Sequence, residues 1–230
     1  MKRLLSSLIV ILLVIVSCKK EKNDEEAVPE GEDYGCIERS FYKPNDHTIS
    51  SNEVAIANML FSTAKIDFSQ FRYYQYKHDT GQYFRAPYTM RDKKFVWVER
   101  GDRGLRVFKG ERLYLFWDDT LVEPSPTDID VSHMVSGMDT TSNLSLARVR
   151  RLFRHDMEMK FPTDNNSQRI DYTDTCFVAE FGFYVQTVDR QNHRKCIKAW
   201  RVAKKNSAND VPAGYYDDES GKLLTFIIHN

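Results

Sequence analysis

The chain has 230 residues, with 33 basic and 33 acidic side chains and a hydrophobic fraction of 41%. This length and composition predict one or two globular domains, and the aromatic fraction of 13% favours β-sheet over a helical bundle. Because the formal net charge is +0, the chain lacks the basic surface typical of nucleic-acid-binding proteins, which argues against that class of function.

The N-terminus predicts a lipoprotein signal peptide over residues 1–17. A short basic start precedes an apolar run over residues 8–16, which is shorter than the about 20 residues of a transmembrane helix. The run ends in Ile15-Val16-Ser17-Cys18, which resembles the lipobox of bacterial lipoproteins. We therefore expect cleavage between Ser17 and Cys18 and acylation of the Cys18 thiol, which anchors the protein to a membrane. The alternative is an ordinary signal peptide followed by a chance cysteine.

Residues 18–46 are predicted to form the lipidated cysteine and a flexible tether. Most of residues 19–26 are charged, and Pro29 and Gly31 follow, so this segment cannot bury enough apolar surface to fold. The charged cluster also resembles the surface-export signal of Bacteroidetes lipoproteins. That resemblance implies a cell-envelope protein anchored in the outer membrane and exposed at the surface, and a spacer facing the periplasm is the alternative.

Three further cysteines, Cys36, Cys176 and Cys196, lie in a chain expected to leave the cytoplasm, where disulfides persist. Cys36 lies where the tether meets the folded part. Cys176 and Cys196 begin two consecutive predicted strands, and in that arrangement they are poorly placed to form a disulfide with each other. We predict a bridge between Cys36 and Cys176, with no bridge as the alternative. No metal site is expected, because no CxxC or HxxxH spacing is present.

The first folded half is predicted over residues 47–123. Ser50-Ser51-Asn52-Glu53 is a capping box, and apolar residues at helical spacing continue the helix to about Ala64. Aromatic and β-branched runs predict strands over residues 71–76 and 95–98. Residues 105–108 and 113–117 are expected to form a hairpin around residues 109–111.

The second half is predicted over residues 144–230, after a polar connection at 124–143. A helix begins near Ser145, with Arg148, Arg150, Arg151 and Arg154 covering its outer side. Strands are predicted at 177–186, 196–203, 214–216 and 222–228, with Trp200 in the core. The expected fold class is α+β with two lobes, each a helix packed on its own antiparallel sheet.

Four motifs in this order resemble the propeptide of thermolysin-type zinc metallopeptidases, an FTP lobe followed by a PepSY lobe. They are Phe71-Arg72-Tyr73-Tyr74-Gln75, the segment Gly104 to Glu111, Ile197-Lys198-Ala199-Trp200-Arg201-Val202, and the segment Tyr215 to Leu224. The resemblance implies lobes that inhibit, chaperone or recruit a peptidase and that carry no catalytic residue. The sequence contains no HExxH motif, and no cofactor is expected.

Aromatic residues supply the candidate binding surface. Alternation along a strand places Tyr74 and Tyr76 on one face and Phe71 and Tyr73 on the other. Tyr74 and Tyr76, together with Tyr83, form a candidate partner-binding surface of the kind that anchors proteins. The alternative is that these rings only cover the faces of the sheet.

The function expected from the sequence is a membrane-tethered, non-catalytic lipoprotein that binds an extracytoplasmic protein and inhibits or chaperones a peptidase in trans. One alternative is an immunity or envelope-protection lipoprotein that binds a toxin. Another is a surface lipoprotein that binds carbohydrate or a small ligand through Trp97, Trp117 or Trp200.

Overall fold

The computed structural model describes residues 30–82, 90–122, 131–164, 167–188, 194–207 and 211–228, which contain ten strands and three helices. In chain order these are β1 (Ile37–Ser40), α1 (Ser51–Thr63), β2 (Phe71–Gln82), β3 (Met90–Asp102), β4 (Leu105–Phe108), β5 (Arg112–Trp117), β6 (Thr120–Leu121), α2 (Val131–Val135), α3 (Leu146–Lys160), β7 (Phe177–Thr187), β8 (Arg194–Lys204), β9 (Ala213–Asp217) and β10 (Leu223–Ile227).

A single mixed sheet contains all ten strands, in the order β10-β9-β8-β7-β4-β3-β5-β6, with β2 also paired to β3 and β1 to β7. Most pairs are antiparallel, but β1 and β4 both run parallel to β7. The predicted fold class, two α+β lobes that each have a separate antiparallel sheet, is therefore wrong. The molecule is β-rich, and its two halves share one sheet.

The predicted hairpin between residues 105–108 and 113–117 is also wrong. At its end β3 turns through Arg103 and Gly104, both with positive φ, and Gly101 then pairs with Arg106 of β4. Arg106 in turn pairs with Gly182 of β7, where a Cβ atom would lie 2.3 Å from the Arg106 carbonyl oxygen. Glycine permits this close approach of two strands. β4 therefore pairs with β7 and joins the two halves, and β5 pairs with β3 and not with β4.

Both long helices begin where the sequence predicts. Ser50 and Glu53 form the capping box of α1, and the Ser145 side chain caps α3. Phe61 of α1 packs among rings of β2 and β5, and Phe153 of α3 packs edge-on against Phe177. Burial of these apolar faces stabilises both helices on the sheet. The prediction that Trp200 belongs to the core is confirmed, because its side chain is 1% exposed.

The N-terminal part of the described chain is bound to α3 and β7. Cys36 and Cys176 form a disulfide, and the adjacent strand β1 pairs with β7 inside the segment that composition assigned to the tether. Arg150, predicted on the outer side of its helix, is fully buried, because residues 33–36 lie against that side.

Candidate functional site: the helix-free face of the sheet

The three helices that the structure describes pack on one face of the sheet. Phe61 of α1 shares a cluster with Val98, Phe153 of α3 shares one with Phe177, and Val135 of α2 shares one with Phe183. Side chains alternate between faces along each strand. Gly101 of β3 pairs with Arg106 of β4, and Arg106 pairs with Gly182 of β7. Because paired residues lie on the same face of a sheet, the opposite face is continuous from β3 to β7. We call this opposite surface the helix-free face.

The part of this face on β3 and β5 is apolar and partly open to solvent. Phe95 pairs with Leu115 and Trp97 with Leu113, and the Phe95 and Trp97 rings stack with their centroids 5.8 Å apart. All four side chains are half-buried, and none belongs to a cluster that includes a described helix. We call these four residues the aromatic patch. The Lys93 ammonium lies 5.4 Å from the centroid of the Phe95 ring and adds a cation–π contact at the border.

A network of arginine and glutamate side chains lies next to the aromatic patch. Arg106 contacts Glu99 at 2.7 Å, Glu111 at 3.4 Å and Glu180 at 3.6 Å, and Glu99 also contacts Arg72 at 3.2 Å. The Arg106 and Glu180 side chains are only 16% and 11% exposed. Because Glu99, Arg106 and Glu180 lie on β3, β4 and β7, the network joins the halves of the sheet.

Burial governs the electrostatics of this network. Desolvation raises the pKa of Glu180, and the neighbouring Arg106 guanidinium opposes that rise. Tyr42 packs its ring over Gly101, and its hydroxyl lies within hydrogen-bond distance of the Gln70 and Glu99 carbonyl oxygens. The contacts between opposite charges on β3, β4 and β7 thus help to position these strands.

Beyond the network the face is apolar again and more deeply buried. Phe108, Tyr184, Ala199 and Tyr215 form a cluster to which no described helix contributes a residue. The Lys109 ammonium lies 4.9 Å from the centroid of the Tyr184 ring. The aromatic rings of this cluster are therefore buried, whereas Phe95 and Trp97 of the aromatic patch are half-buried.

The predicted tyrosine surface is not brought together in the described residues. A bulge shifts the register of β2 between Tyr73 and Gln75, so that Tyr73 and Tyr76 both pack in the core under α1. Tyr74 lies instead near Glu99 and Glu111, whose charges add to burial in raising its pKa. The expected alternation, with Tyr74 and Tyr76 on one face, is therefore wrong, and Tyr83 lies outside the described residues.

Of the aromatic patch, the sequence analysis named only Trp97, as one of three tryptophans that could bind carbohydrate or a small ligand. Phe95, Leu113 and Leu115 were missed as site residues because they were treated simply as strand residues. A usable signal was present, since Phe95 and Trp97 alternate with Val96 and Val98. Large apolar residues at every position of a strand indicate a sheet with two apolar faces. In the part of the chain that the structure describes, a helix covers only one of those faces.

The remaining cysteine, Cys196, is a free thiol beside a cavity of about 160 Å³ that Met138, Lys198 and Glu219 also line. Burial raises the pKa of this thiol to about 11, which favours the protonated form near neutral pH. Ser17 and Cys18, the predicted cleavage and lipidation sites, lie outside the described residues.

Within the described ranges, no three His, Cys, Asp or Glu side chains are grouped so that they could hold a metal ion. Among the helices described, none combines the length and the apolar character needed to cross a membrane. Comparison with protein-family models, with curated proteins and with solved structures found no match to this chain. The resemblance to metallopeptidase propeptides thus stays a prediction from four sequence motifs.

Proposed function

We propose that this protein is a lipid-anchored, non-catalytic lipoprotein of the cell envelope that binds a protein partner through the aromatic patch. The observation that carries the proposal is the patch itself, four half-buried apolar side chains on a face that no described helix covers. A peptidase is the partner class that the propeptide-like motifs imply, and its inhibition or chaperoning in trans is the activity to test.

The surroundings of the patch fit a binding surface. Contiguous exposed apolar residues bordered by charged groups are typical of interaction sites, and aromatic side chains dominate the energetics of such sites. Lys93 borders the patch on one side, and Glu99 with Arg106 borders it on the other. The strands beneath are held by the core under α1, so the patch is rigid before binding and loses little entropy when a partner docks.

Removal of the aromatic rings should weaken partner binding. The change Phe95→Ala together with Trp97→Ala is expected to lower affinity by roughly 10- to 100-fold, the effect of losing central aromatic anchors. Photo-crosslinking from position 97 in intact cells identifies the partner, and titration of the purified pair measures the change. If the partner is a peptidase, its activity and folding yield are assayed with the same variants.

The matched control is Met59→Ala, which removes another large apolar side chain, 50% exposed on α1 and on the opposite side of the sheet. It should leave affinity unchanged. Equal crosslinking from positions 59 and 97, or full affinity in the double alanine variant, would show that the patch is not the binding surface. Urea unfolding of each variant checks that the fold is intact.

The anchor rests on the Ile15-Val16-Ser17-Cys18 motif. We expect Cys18→Ala to move the protein from the membrane fraction to the soluble fraction, because two or three acyl chains at ~0.8 kcal/mol per methylene make binding to the membrane effectively permanent. Cell fractionation with immunoblotting measures this, and Cys196→Ala is the control that keeps the anchor. Mass spectrometry showing an unacylated residue 18 in the native protein would refute the anchor.

One observation favours a second candidate, a carbohydrate-binding lipoprotein. Trp117 and Trp200 are buried, whereas Trp97 is half-buried and stacked on Phe95 at the surface. Oligosaccharides that quench the fluorescence of the parent protein but not of Trp97→Phe would support this candidate over a protein partner.

A further inference from the structure

Among the described residues, the outer sides of β1, β2, β6 and β10 have no strand partner, and these four edges of the sheet differ in how they are protected. The edge at β1 is four residues long and carries Glu38 and Arg39. The edge at β6 is only two residues long. The edge at β2 carries the charged or ionisable residues Lys77, His78 and Asp79, and near its start the Thr48 amide donates to the Tyr73 carbonyl oxygen. Charge on an edge, short edges and covering segments are the usual means by which proteins prevent their sheets from pairing with other chains.

The edge at β10 lacks this protection. Its sequence from Leu223 to Ile227 contains no charged residue, proline or glycine, and Ile228 beyond it is 46% exposed. Among the described residues β10 pairs with β9 alone, so the backbone groups on its outer side have no strand partner. A register shift near Leu223 disturbs the start of the strand, but pairing from Thr225 to Ile227 is regular.

Both faces of β10 continue a hydrophobic core. Leu223 and Phe226 pack with the cluster under α3, and Leu224 and Ile227 pack with the cluster on the helix-free face. All five strand residues are half-buried, because each cluster stops at this edge. A strand added here would hydrogen-bond with the backbone and extend both apolar layers at once.

We propose that the β10 edge is a dimer interface at which the β10 strand of a second copy of this chain pairs in antiparallel orientation across a two-fold axis. Such an interface is self-complementary, since each strand supplies the same uncharged surface. An axis at Phe226 sets Thr225 of each copy opposite Ile227 of the other, and Leu224 opposite Ile228, without any charge opposing another. This surface is separate from the aromatic patch and does not depend on the proposed partner.

A single strand pair buries less surface than a standard interface, so the dimer is expected to be weak and to form in the micromolar range, with Kd of about 1–100 µM. Sedimentation velocity of the mature chain, residues 18–230 with Cys18→Ala, over a concentration series measures this. Thr225→Lys places a charged lysine of each copy opposite Ile227 of the other copy. It should weaken dimerisation by roughly tenfold or more. The matched control Thr80→Lys adds the same charge to the β2 edge and should leave the dimer unchanged.

A second variant, Ile228→Lys, acts at a more exposed position and covers the case in which Thr225→Lys unfolds the protein. Hydrogen exchange supplies an independent readout, since protection of residues 223–228 should rise with protein concentration while that of residues 75–82 stays constant. A chain that sediments as a monomer at every concentration overturns the proposal. A dimer that is sensitive to Thr80→Lys and insensitive to both β10 variants overturns it as well.

Discussion

Replacement of Cys36 and Cys176 together by serine is expected to lower the free energy of unfolding by about 3–5 kcal/mol. The bridge joins positions 140 residues apart, so it removes much of the conformational freedom of the unfolded chain. It also holds β1 against β7. Urea unfolding of the Cys18→Ala chain, followed by the fluorescence of buried Trp117 and Trp200, measures the loss.

Two controls separate the bridge from a general effect of cysteine replacement. Cys196→Ser changes a half-buried free thiol and should alter stability by no more than about 1 kcal/mol. A reductant should reproduce the loss in the parent chain and leave the double serine variant unchanged. Equal stability of the double variant and the oxidised parent would contradict a bridge that constrains the fold.

Sequence patterns that span only a few residues predicted the helix starts and the long strands of the second half well. Ser50 with Glu53, and Ser145, correctly start the two long helices, since a cap needs only the first turn of its own helix. Alternating apolar residues correctly place the strands over residues 177–186 and 196–203. Pairing between distant strands leaves a weaker trace, and so the parallel alignment of β4 with β7 was not predicted. Its only local sign is Gly182, which admits the close approach of Arg106.

The candidate site was harder to predict than the elements that carry it. A one-residue bulge at Tyr74 reverses the alternation on which the predicted tyrosine surface depended. Which face of β3 remains open depends on where the helices pack, and no residue of β3 encodes that choice. Phe95 and Trp97 were therefore visible in the sequence as strand residues, but their accessibility follows only from the assembled sheet.

Arg150 shows how a distant segment decides the environment of a residue. Its guanidinium donates to the Cys36 carbonyl oxygen at 3.1 Å, to that of Thr173 at 2.6 Å and to that of Thr175 at 3.0 Å, and it contacts the Asp33 carboxylate. Gly35 lies directly on the guanidinium, where any Cβ atom would approach the Arg150 Cζ to 2.3 Å. The arginine thus binds the N-terminal segment and the loop before β7 at one point.

Arg150→Met should lower the free energy of unfolding by about 3–5 kcal/mol. The change keeps much of the apolar volume, but it leaves three carbonyl oxygens without their buried donor and removes one of the two arginines that contact the Asp33 carboxylate. Arg150→Lys should recover only part of the loss, because an ammonium group cannot reproduce the planar fork of donors. Arg169→Met, at an exposed position, is the matched control and should stay within about 0.5 kcal/mol of the parent.

The two stabilising features should be coupled, because Arg150 binds the carbonyl group of the same Cys36 that forms the disulfide. Without the disulfide, residues 33–36 have fewer restraints. Arg150→Met should therefore lower the free energy of unfolding by less in the double serine variant than in the parent chain. A double-mutant cycle measures this as an interaction energy of roughly 0.5–3 kcal/mol. Strict additivity would mean that the arginine acts on the loop before β7 alone, and that the bridge by itself docks the N-terminal segment.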